Sequence, residues 1–217
     1  MKKSETTRQK ISDAALASFR ERGYEQTTIR LIADELGISV GNAYYYFPTK
    51  NHLVQELYLT VQRQHLERAL AAFGTERGLA ARLRIGLMTG LDGLQPYHSM
   101  ASGFLGAAIS PASPVSPFGP DSAEPRRLAE SVFAEVVSGS STPLPARLKA
   151  ELPHLLWLAY MALALYWVYD HSDGQQRSKR LVRNGTALIE KFLPLLRLPF
   201  VRGPLDDVLD LVKEAES

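Results

Sequence analysis

Apolar residues recur at helical spacing along nearly the whole chain. Ile11, Ala15 and Phe19 lie four residues apart, and Ile29, Ile32, Ala33 and Leu36 follow the i, i+3, i+4, i+7 spacing of one helix face. No segment alternates between apolar and polar residues as a strand does. The pattern predicts helices over residues 10–22, 28–36, 40–47, 50–73, 77–94, 102–109, 125–137, 146–170 and 173–196, and a last amphipathic helix that begins at Pro204.

Glycine and proline mark where the predicted helices end. Gly23 and Gly37 follow two of the apolar runs as C-terminal caps would, and Pro48 follows a third. Five prolines between residues 110 and 125 exclude a helix there, and a Ser/Gly/Pro-rich stretch over residues 138–145 is a second loop. The chain is therefore predicted to be all-α.

Residues 28–47 have the layout of a helix-turn-helix. A short helix that Thr28 can cap is followed by a three-residue turn, in which Gly37 gives the backbone freedom and Ser39 can cap the next helix. In that second helix Ala43 and Phe47 lie four apart and are predicted to face the core. The face left over for DNA holds Val40, Gly41, Asn42, Tyr44 and Tyr45.

This stretch closely resembles the tetracycline-repressor (TetR) family of transcriptional regulators. The resemblance lies in FRERGY at 19–24, TTIRLIA at 27–33, GIS at 37–39, GNAYYYFPTK at 41–50 and the leucine at 53. It covers about residues 8–58 and is far more specific than a bare helix-turn-helix pattern. Ala43 departs from the family, which more often has a larger aliphatic residue at this position.

The resemblance implies a DNA-contacting role for ten residues. Thr28 and Lys50 match positions that usually contact backbone phosphates, and Tyr44 and Tyr46 match positions that pack on sugar and phosphate. Val40, Gly41, Asn42 and Tyr45 match positions that usually approach base edges. Simpler roles stay open: Thr28 as a cap alone, Lys50 as a solvated lysine, Tyr46 as partly core. The predicted DNA-binding residues are Thr28, Arg30, Ser39, Val40, Gly41, Asn42, Tyr44, Tyr45, Tyr46 and Lys50.

The remainder of the chain is predicted to form a dimerisation body. Residues 155–169 carry no charge, and a helix that is apolar all round must be buried all round. The run is shorter than the roughly 20 residues of a membrane span, so we expect no membrane association. The family resemblance implies that two long helices, about residues 146–170 and 173–196, pair with their copies in a homodimer.

The resemblance also implies that the body binds a small, mainly hydrophobic effector. Large or adaptable side chains on neighbouring helices are the candidates for its pocket, although such residues at helical spacing are more often plain core. The predicted ligand-binding residues are Met88, Phe104, Phe133, Trp157, Tyr160 and Met161.

Composition excludes several other classes of protein. The chain has no cysteine, and its histidines lack metal-site spacing, so we expect neither disulfides nor a metal or other cofactor. No phosphate-binding loop or nucleophile motif suggests an enzyme. The N-terminus is polar, which predicts a cytoplasmic protein. Net charge is +2, and residues 1–50, with eight Lys/Arg and six Asp/Glu, contain all of the positive excess.

Together these features predict an N-terminal three-helix DNA-binding domain over residues 1–50 and a larger helical ligand-binding and dimerisation domain over residues 51–217. The expected function is ligand-responsive repression: a dimer binds a near-palindromic double-stranded operator and a hydrophobic effector releases it. Three alternatives stay open. They are a constitutive DNA-binding regulator without an effector, an activator, and a helical enzyme with an accidental N-terminal resemblance.

Overall fold

The computed structural model describes the backbone of residues 2–215, and their side chains except those of residues 2–5, 197, 199–202, 205, 208 and 215. These residues form helices and loops without a strand, which confirms the all-α prediction. The α-helices in chain order are α1 (Lys2–Gln26), α2 (Ile29–Leu36), α3 (Val40–Tyr46), α4 (Lys50–Phe73), α5 (Leu79–Leu94), α6 (Ala101–Ala108), α7 (Ala123–Ser138), α8 (Ala146–Val168), α9 (Gln176–Phe192) and α10 (Pro199–Ala215).

Most helix ends agree with the sequence pattern, but those of α1, α9 and α10 do not. Helix α9 (Gln176–Phe192) is shorter at both ends than the predicted range 173–196. Helix α1 begins eight residues earlier than predicted, and Gly23, with φ 80° and ψ 178°, interrupts it where the sequence placed its end. The prediction that the last helix begins at Pro204 is wrong, because α10 begins at Pro199 and contains Pro204. Pro199 occupies the first helical position, where a missing N–H costs no intrahelical hydrogen bond.

The described residues divide into two compact units. The first contains the residues up to Gln64 together with Gly93–Leu128, and the second contains His65–Asp92 together with the residues from Ala129 onward. The boundary predicted at residue 50 falls inside the first unit, where α4 begins. That domain boundary stays a prediction.

The core of the first unit joins α1, α2 and α3 to the start of α4 and to α6. Ile11, Phe19, Ile32 and Leu53 are almost completely buried in it. Burial of side chains of this size stabilises a fold by about 1.5–3 kcal/mol each. This core fixes the two helices of the helix-turn-helix on a rigid support.

A proline-rich loop over residues 109–119 closes the first unit without regular structure. Its carbonyls accept hydrogen bonds from side chains outside the loop: Pro114 O from Gln55 Nε2 at 2.9 Å, Val115 O from Tyr58 Oη at 3.2 Å, and Pro117 O from Arg126 Nη1 at 3.0 Å. Burial raises the pKa of Tyr58 to about 12, so its hydroxyl stays a donor. Side chains thus replace the main-chain partners that proline cannot supply.

A buried arginine braces the second unit. Arg82 is 3% exposed, and its guanidinium donates to the carbonyls of Glu76, Glu135 and Val136 at 2.6–3.2 Å. Two of these carbonyls belong to the last turn of α7, where a cation also interacts favourably with the helix dipole. A Cβ atom at Gly139 would come within 2.2 Å of the guanidinium, so the backbone can lie this close to Arg82 only because residue 139 is a glycine.

A buried carboxylate organises the connection between α8 and α9. Asp170 is 2% exposed and accepts hydrogen bonds from the backbone N–H and the hydroxyl of both Ser172 and Ser178, at 2.6–3.0 Å. Burial alone raises the pKa of Asp170, but these four hydrogen bonds outweigh it and hold the pKa well below its usual range. The carboxylate is therefore ionised and fixes the turn into α9.

Candidate nucleic-acid interface

Three local caps shape the helix-turn-helix. Thr28 Oγ1 accepts from the N–H of Leu31 at 3.1 Å and caps α2, and Ser39 Oγ accepts from the N–H of Asn42 at 3.2 Å and caps α3. Gly37 ends α2 in the left-handed region with φ 62°, a conformation that costs glycine little. The two helices and the turn therefore begin and end where the residue types predict.

The inner face of α3 packs closely in spite of its small residue. Ala43 is fully buried, and Phe47, directly after the helix, is 1% exposed. Ala43 belongs to the same buried cluster as Ile32 and Ala33 of α2, which are fully buried as well. Helix α3, the recognition helix of the helix-turn-helix, is thus packed against the core through an alanine, where the resemblance leads us to expect a larger residue.

The outer face of the helix-turn-helix presents the predicted DNA-binding residues to solvent. Tyr44 and Tyr45 are 47% and 79% exposed, far more than tyrosine in a core, and the Tyr46 ring meets the Tyr45 ring edge-on at 5.1 Å. Among the ten, seven are exposed and three are half-buried. The exposed ones are Thr28, Arg30, Ser39, Gly41, Asn42, Tyr44 and Tyr45, and the half-buried ones are Val40, Tyr46 and Lys50.

Gly41 is not required by the fold. Its backbone is helical, and a Cβ atom built there meets no other atom within 4 Å. Glycine weakens a helix relative to alanine, so this position has a stability cost with no steric reason inside the protein. The absence of a side chain instead leaves room for a close approach from outside, as an interface with DNA requires.

Lys50 has defined partners within the protein. Its Nζ atom lies 3.9 Å from the centroid of the Tyr24 ring and donates to the carbonyl of Glu25 at 3.4 Å. Burial lowers the pKa of Lys50, and the Glu25 carboxylate opposes that shift. The sequence predicted Lys50 but not Tyr24, because nothing local in the sequence pairs two residues 26 positions apart.

A second pair that the sequence missed ties α1 to α4. The Arg8 guanidinium lies 5.0 Å from the centroid of the Phe47 ring and forms an ion pair with the buried Glu56 carboxylate at 2.5 Å. Phe47 follows directly after the recognition helix, so this contact holds the C-terminal end of α3. Arg8 and Glu56 are 48 residues apart, and only the folded core brings them together.

The predicted ligand-binding residues are distributed over both units. Phe104 is in the first unit, where its ring meets Phe19 at 5.1 Å and Tyr24 at 5.3 Å. In the second unit Tyr160 is buried and its ring lies 5.7 Å from Phe133, and Trp157 is buried as well. The half-buried members of the predicted set are Met88 and Met161.

Tyr160 is surrounded closely on two further sides. The His65 ring lies 5.4 Å from its ring, and His65 Nε2 is 2.8 Å from the carbonyl of Gly86. Burial lowers the pKa of His65, which favours the neutral imidazole as donor to that carbonyl. A Cβ atom at Gly90 would approach the Tyr160 ring to 2.7 Å, so the tyrosine fills the space beside Gly90 completely.

Metal-binding clusters are absent from the part of the chain that the structure describes, where three or more His, Asp or Glu side chains nowhere converge. His154 Nδ1 and Glu130 Oε1 form a pair at 2.9 Å. Two side chains complete no metal coordination sphere.

The arrangement as a whole is that of a helix-turn-helix whose second helix is capped, packed on a buried core and exposed on its outer face. Comparison with known proteins agrees. Residues 11–57 match the family described as bacterial regulatory proteins, tetR family, and residues 82–214 match the tetracyclin repressor-like C-terminal domain. The second match covers more than half of the chain, and the chain belongs to the TetR family.

Individual relatives show where the similarity is strongest. An uncharacterized HTH-type transcriptional regulator of Mycobacterium tuberculosis is 40% identical over 63 residues, 29% of this chain, and the match spans only 30% of that protein's length. The HTH-type transcriptional repressor KstR of Mycolicibacterium smegmatis is 27% identical over 80% of this chain and 82% of its own length.

A solved structure extends the likeness of fold beyond the N-terminal part. The TetR transcriptional regulator from Nitrosomonas europaea superposes with a TM-score of 0.63 at 16% identity, over 84% of this chain and 96% of the other. At this identity the likeness concerns the fold alone. The chain thus has the TetR fold as well as the family's sequence signature.

Proposed function

We propose that the protein is a homodimeric repressor that binds a near-palindromic operator and releases it when a hydrophobic effector binds. The observation that supports DNA binding best is the outer face of α3, where glycine, asparagine and two tyrosines are exposed beside a capped N-terminus. The similarity to the repressor KstR supports repression in particular. Such a regulator acts where the bacterial chromosome lies, in the cytoplasm.

The roles of the DNA-contacting residues divide by chemistry. Thr28, at the N-terminus of α2, and Lys50, at the start of α4, bind backbone phosphates, while Tyr44 and Tyr46 pack on the sugar-phosphate backbone. Val40, Gly41, Asn42 and Tyr45 approach base edges, where asparagine can pair with adenine and valine can touch a thymine methyl group. Arg30 and Ser39 lie at the margin of this surface.

The exposed apolar faces of α8 and α9 support the homodimer. Leu165 and Tyr166 on α8, and Tyr169 directly after it, are 44–66% exposed. By length and composition this helix could also cross a membrane. Only 22% of its apolar stretch is buried within one chain, so the remainder needs a cover from outside the subunit. A second copy is the better cover, because Arg147, Lys149 and Glu151 occupy the first two turns of α8.

Helix α9 has a matching stripe. Leu181, Leu188 and Leu195, the last just beyond the helix end, are seven residues apart and 42–54% exposed, and Phe192 is 55% exposed beside them. Leucines at this spacing form the seam between paired helices. We propose that the two faces together pair with the same faces of a second subunit, and so set the spacing of two recognition helices at about 34–36 Å.

Effector binding is proposed at the aromatic cluster of the second unit, around Tyr160, Phe133 and Trp157. A ligand that binds one conformation of the dimer better than the other shifts the equilibrium between them, and DNA affinity changes reciprocally. The constitutive alternative has its own support: Tyr160 is enclosed by His65, Phe133 and Gly90 so closely that a ligand must displace side chains to enter.

The DNA-binding proposal is tested by selecting duplexes from a random pool with the full chain and measuring affinity for the selected duplex by fluorescence anisotropy. Tyr44→Ala and Lys50→Ala should weaken binding, and Lys50→Ala should reduce the slope of log affinity against log salt by about one unit per site. Lys149→Ala, which removes an exposed lysine of α8, is the matched control. Unchanged affinity and slope in both test variants would remove these residues from the interface.

Dimerisation and effector response have separate tests. Light scattering should give a dimer for the wild type and for Arg183→Glu, whose charge lies off the apolar stripe, and a monomer for Leu188→Glu. A thermal-shift screen of hydrophobic compounds should give ligands that raise the melting temperature, quench Trp157 more than Trp167 and weaken binding to the selected duplex. Ligands that stabilise the protein without changing DNA affinity would favour the constitutive alternative.

A further inference from the structure

The ammonium group of Lys50 is held in place before any DNA arrives. An ammonium has three N–H donors, and here one donates to the Glu25 carbonyl while the group rests on the face of the Tyr24 ring at 3.9 Å. Lys50 remains partly exposed, so donor capacity is left for an outside acceptor. A lysine on a surface helix ordinarily samples many rotamers, and this one is restricted by two neighbours.

The Tyr24 ring is itself fixed by two phenylalanines. Phe19 stacks parallel to it with centroids 6.4 Å apart and planes 6° apart, and Phe104 meets it edge-on at 5.3 Å. Phe104 and Phe19 meet edge-on in turn, at 5.1 Å. These three aromatic rings, which we call the aromatic trio, join α1 to α6 beneath the lysine.

We propose that Tyr24 is a positioning residue for DNA binding: the aromatic trio holds its ring so that the Lys50 ammonium is pre-set for a backbone phosphate. The inference rests on the proposed phosphate contact of Lys50 and adds the residues that prepare it. Pre-setting a flexible side chain reduces the conformational entropy lost on binding, so it raises affinity without a new contact to DNA. Phe104 belongs to this support, and its place in the trio gives it a role apart from an effector pocket.

A double-mutant cycle on Tyr24 and Lys50 tests the inference with the full chain and the selected duplex. Tyr24→Leu should weaken binding about two- to fivefold, the effect expected for an exposed cation–π contact, and Tyr24→Phe should keep wild-type affinity because the ring remains. In the Lys50→Ala background Tyr24→Leu should have no further effect. Tyr97→Leu, which removes the ring beneath Arg20 in the same unit, is the matched control and should leave affinity unchanged.

The outcomes separate the two proposals. If Lys50→Ala leaves affinity unchanged, the phosphate contact itself is wrong. Suppose that Lys50→Ala weakens binding. If Tyr24→Leu then leaves affinity unchanged, or if it weakens binding by the same factor in the wild type and in the Lys50→Ala variant, the phosphate contact stands and the positioning role is overturned.

A measurement on the wild-type side chain keeps the test valid if Tyr24→Leu disturbs the fold. In NMR spectra of the chain with isotope-labelled lysine, the terminal methylene signals of Lys50, assigned with Lys50→Arg, should be shifted upfield by the Tyr24 ring current. They should move less in Phe104→Leu, which loosens the ring. Signals at the position of solvated lysines in the wild-type protein would overturn the proposal.

Discussion

The outer face of α3 and the stripe on α9 are both exposed, and they differ in polarity. On α3 the exposed residues are a glycine, an asparagine and two tyrosines, which combine hydrogen-bonding groups with flat rings. The stripe on α9 consists of Leu181, Leu188 and Phe192, with Leu195 just beyond the helix end, and none of these side chains has a polar atom. Both faces are unfavourable for an isolated subunit, because glycine lowers the stability of a helix and exposed leucines leave apolar surface in water.

The difference shows how the chemistry of an exposed face indicates its partner. A face of donors, acceptors and rings suits a hydrated, charged surface such as DNA, where each group finds a polar counterpart. A face of leucines gains only by removal from water, which a second identical face provides without desolvating any charge. Substitutions on the outer face of α3 should therefore change DNA affinity with little change in stability, and substitutions on α8 and α9 should change assembly or folding.

The largest effect on folding is expected on α8, where a buried residue and an exposed residue are adjacent in sequence. Leu163 is 8% exposed, so Leu163→Glu places an unpaired charge in the core and should lower the free energy of unfolding by about 3 kcal/mol or more. Ala162 is exposed, and Ala162→Glu should keep the fold and dissociate the dimer. Chemical denaturation and light scattering on the pair separate these results. Equal loss of folding in both variants would contradict the assigned exposed face of α8.

Next in size is the turn between α8 and α9. Asp170→Asn removes the charge that four hydrogen bonds stabilise and should cost about 2 kcal/mol at pH 7. Since the pKa of Asp170 is lowered in the folded state, its contribution is complete above the unfolded value near 4 and is lost as pH falls below it. The difference in unfolding free energy between wild type and variant should thus shrink in acid.

A matched variant tests the assignment of that pH dependence. Asp173→Asn changes an exposed carboxylate in the same connection and should leave both stability and its pH dependence near wild type. If the difference in unfolding free energy between the wild type and Asp170→Asn stays constant from pH 7 down to pH 3, the charge of Asp170 does not stabilise the fold.

At the helix-turn-helix the expected effect on folding is smaller. Thr28→Ala removes the cap of α2 and should lower the free energy of unfolding by about 1 kcal/mol, and Thr28→Ser should restore it because serine caps equally well. Thermal melts measure the cap, and anisotropy with the selected duplex measures DNA binding. If Thr28→Ser restores stability but not affinity, the threonine methyl group matters to the interface. If Thr28→Ala melts as the wild type does, the cap contributes no stability.

The smallest effect on folding should have the opposite sign. Gly41→Ala adds a methyl group in open space and should raise stability by about 0.5 kcal/mol through helix propensity, while weakening DNA binding by blocking the close approach. Calorimetry and anisotropy on one sample give both numbers. Unchanged or tighter binding by Gly41→Ala would show that α3 stands further from the bases than proposed.

Local signals explain why the helix-turn-helix was predictable. Thr28, Gly37 and Ser39 each act within three or four residues of their own position, so sequence alone placed α2, the turn and the surface residues of α3. The limits of α4, from Lys50 to Phe73, were predicted correctly at both ends as well. Proline misled the prediction of one helix start. Both Pro199 and Pro204 could occupy the first turn of a helix, and the structure shows that α10 begins at Pro199.

Partners far apart in sequence explain what was missed. Arg82 finds its carbonyls more than 50 residues away in α7, and Arg8 finds Glu56 48 residues away. Tyr24 stood inside the family-like motif, yet its ring contacts depend on Phe104. Sequence placed Phe104 among the candidate pocket residues because an aromatic at helical spacing says nothing about which neighbours it meets.

The proline-rich loop has a consequence for proteolysis. Phe118 is 60% exposed and would offer a chymotrypsin-like protease a preferred side chain, but cleavage also requires several residues of backbone to extend into the enzyme. Here Arg126 binds the carbonyls of Pro117 and Gly119 on either side of Phe118, while Gln55 and Tyr58 bind Pro114 and Val115. The peptide bond after Phe118 should therefore be cut only when these hydrogen bonds open together, and its cleavage rate records how often the first unit loosens locally.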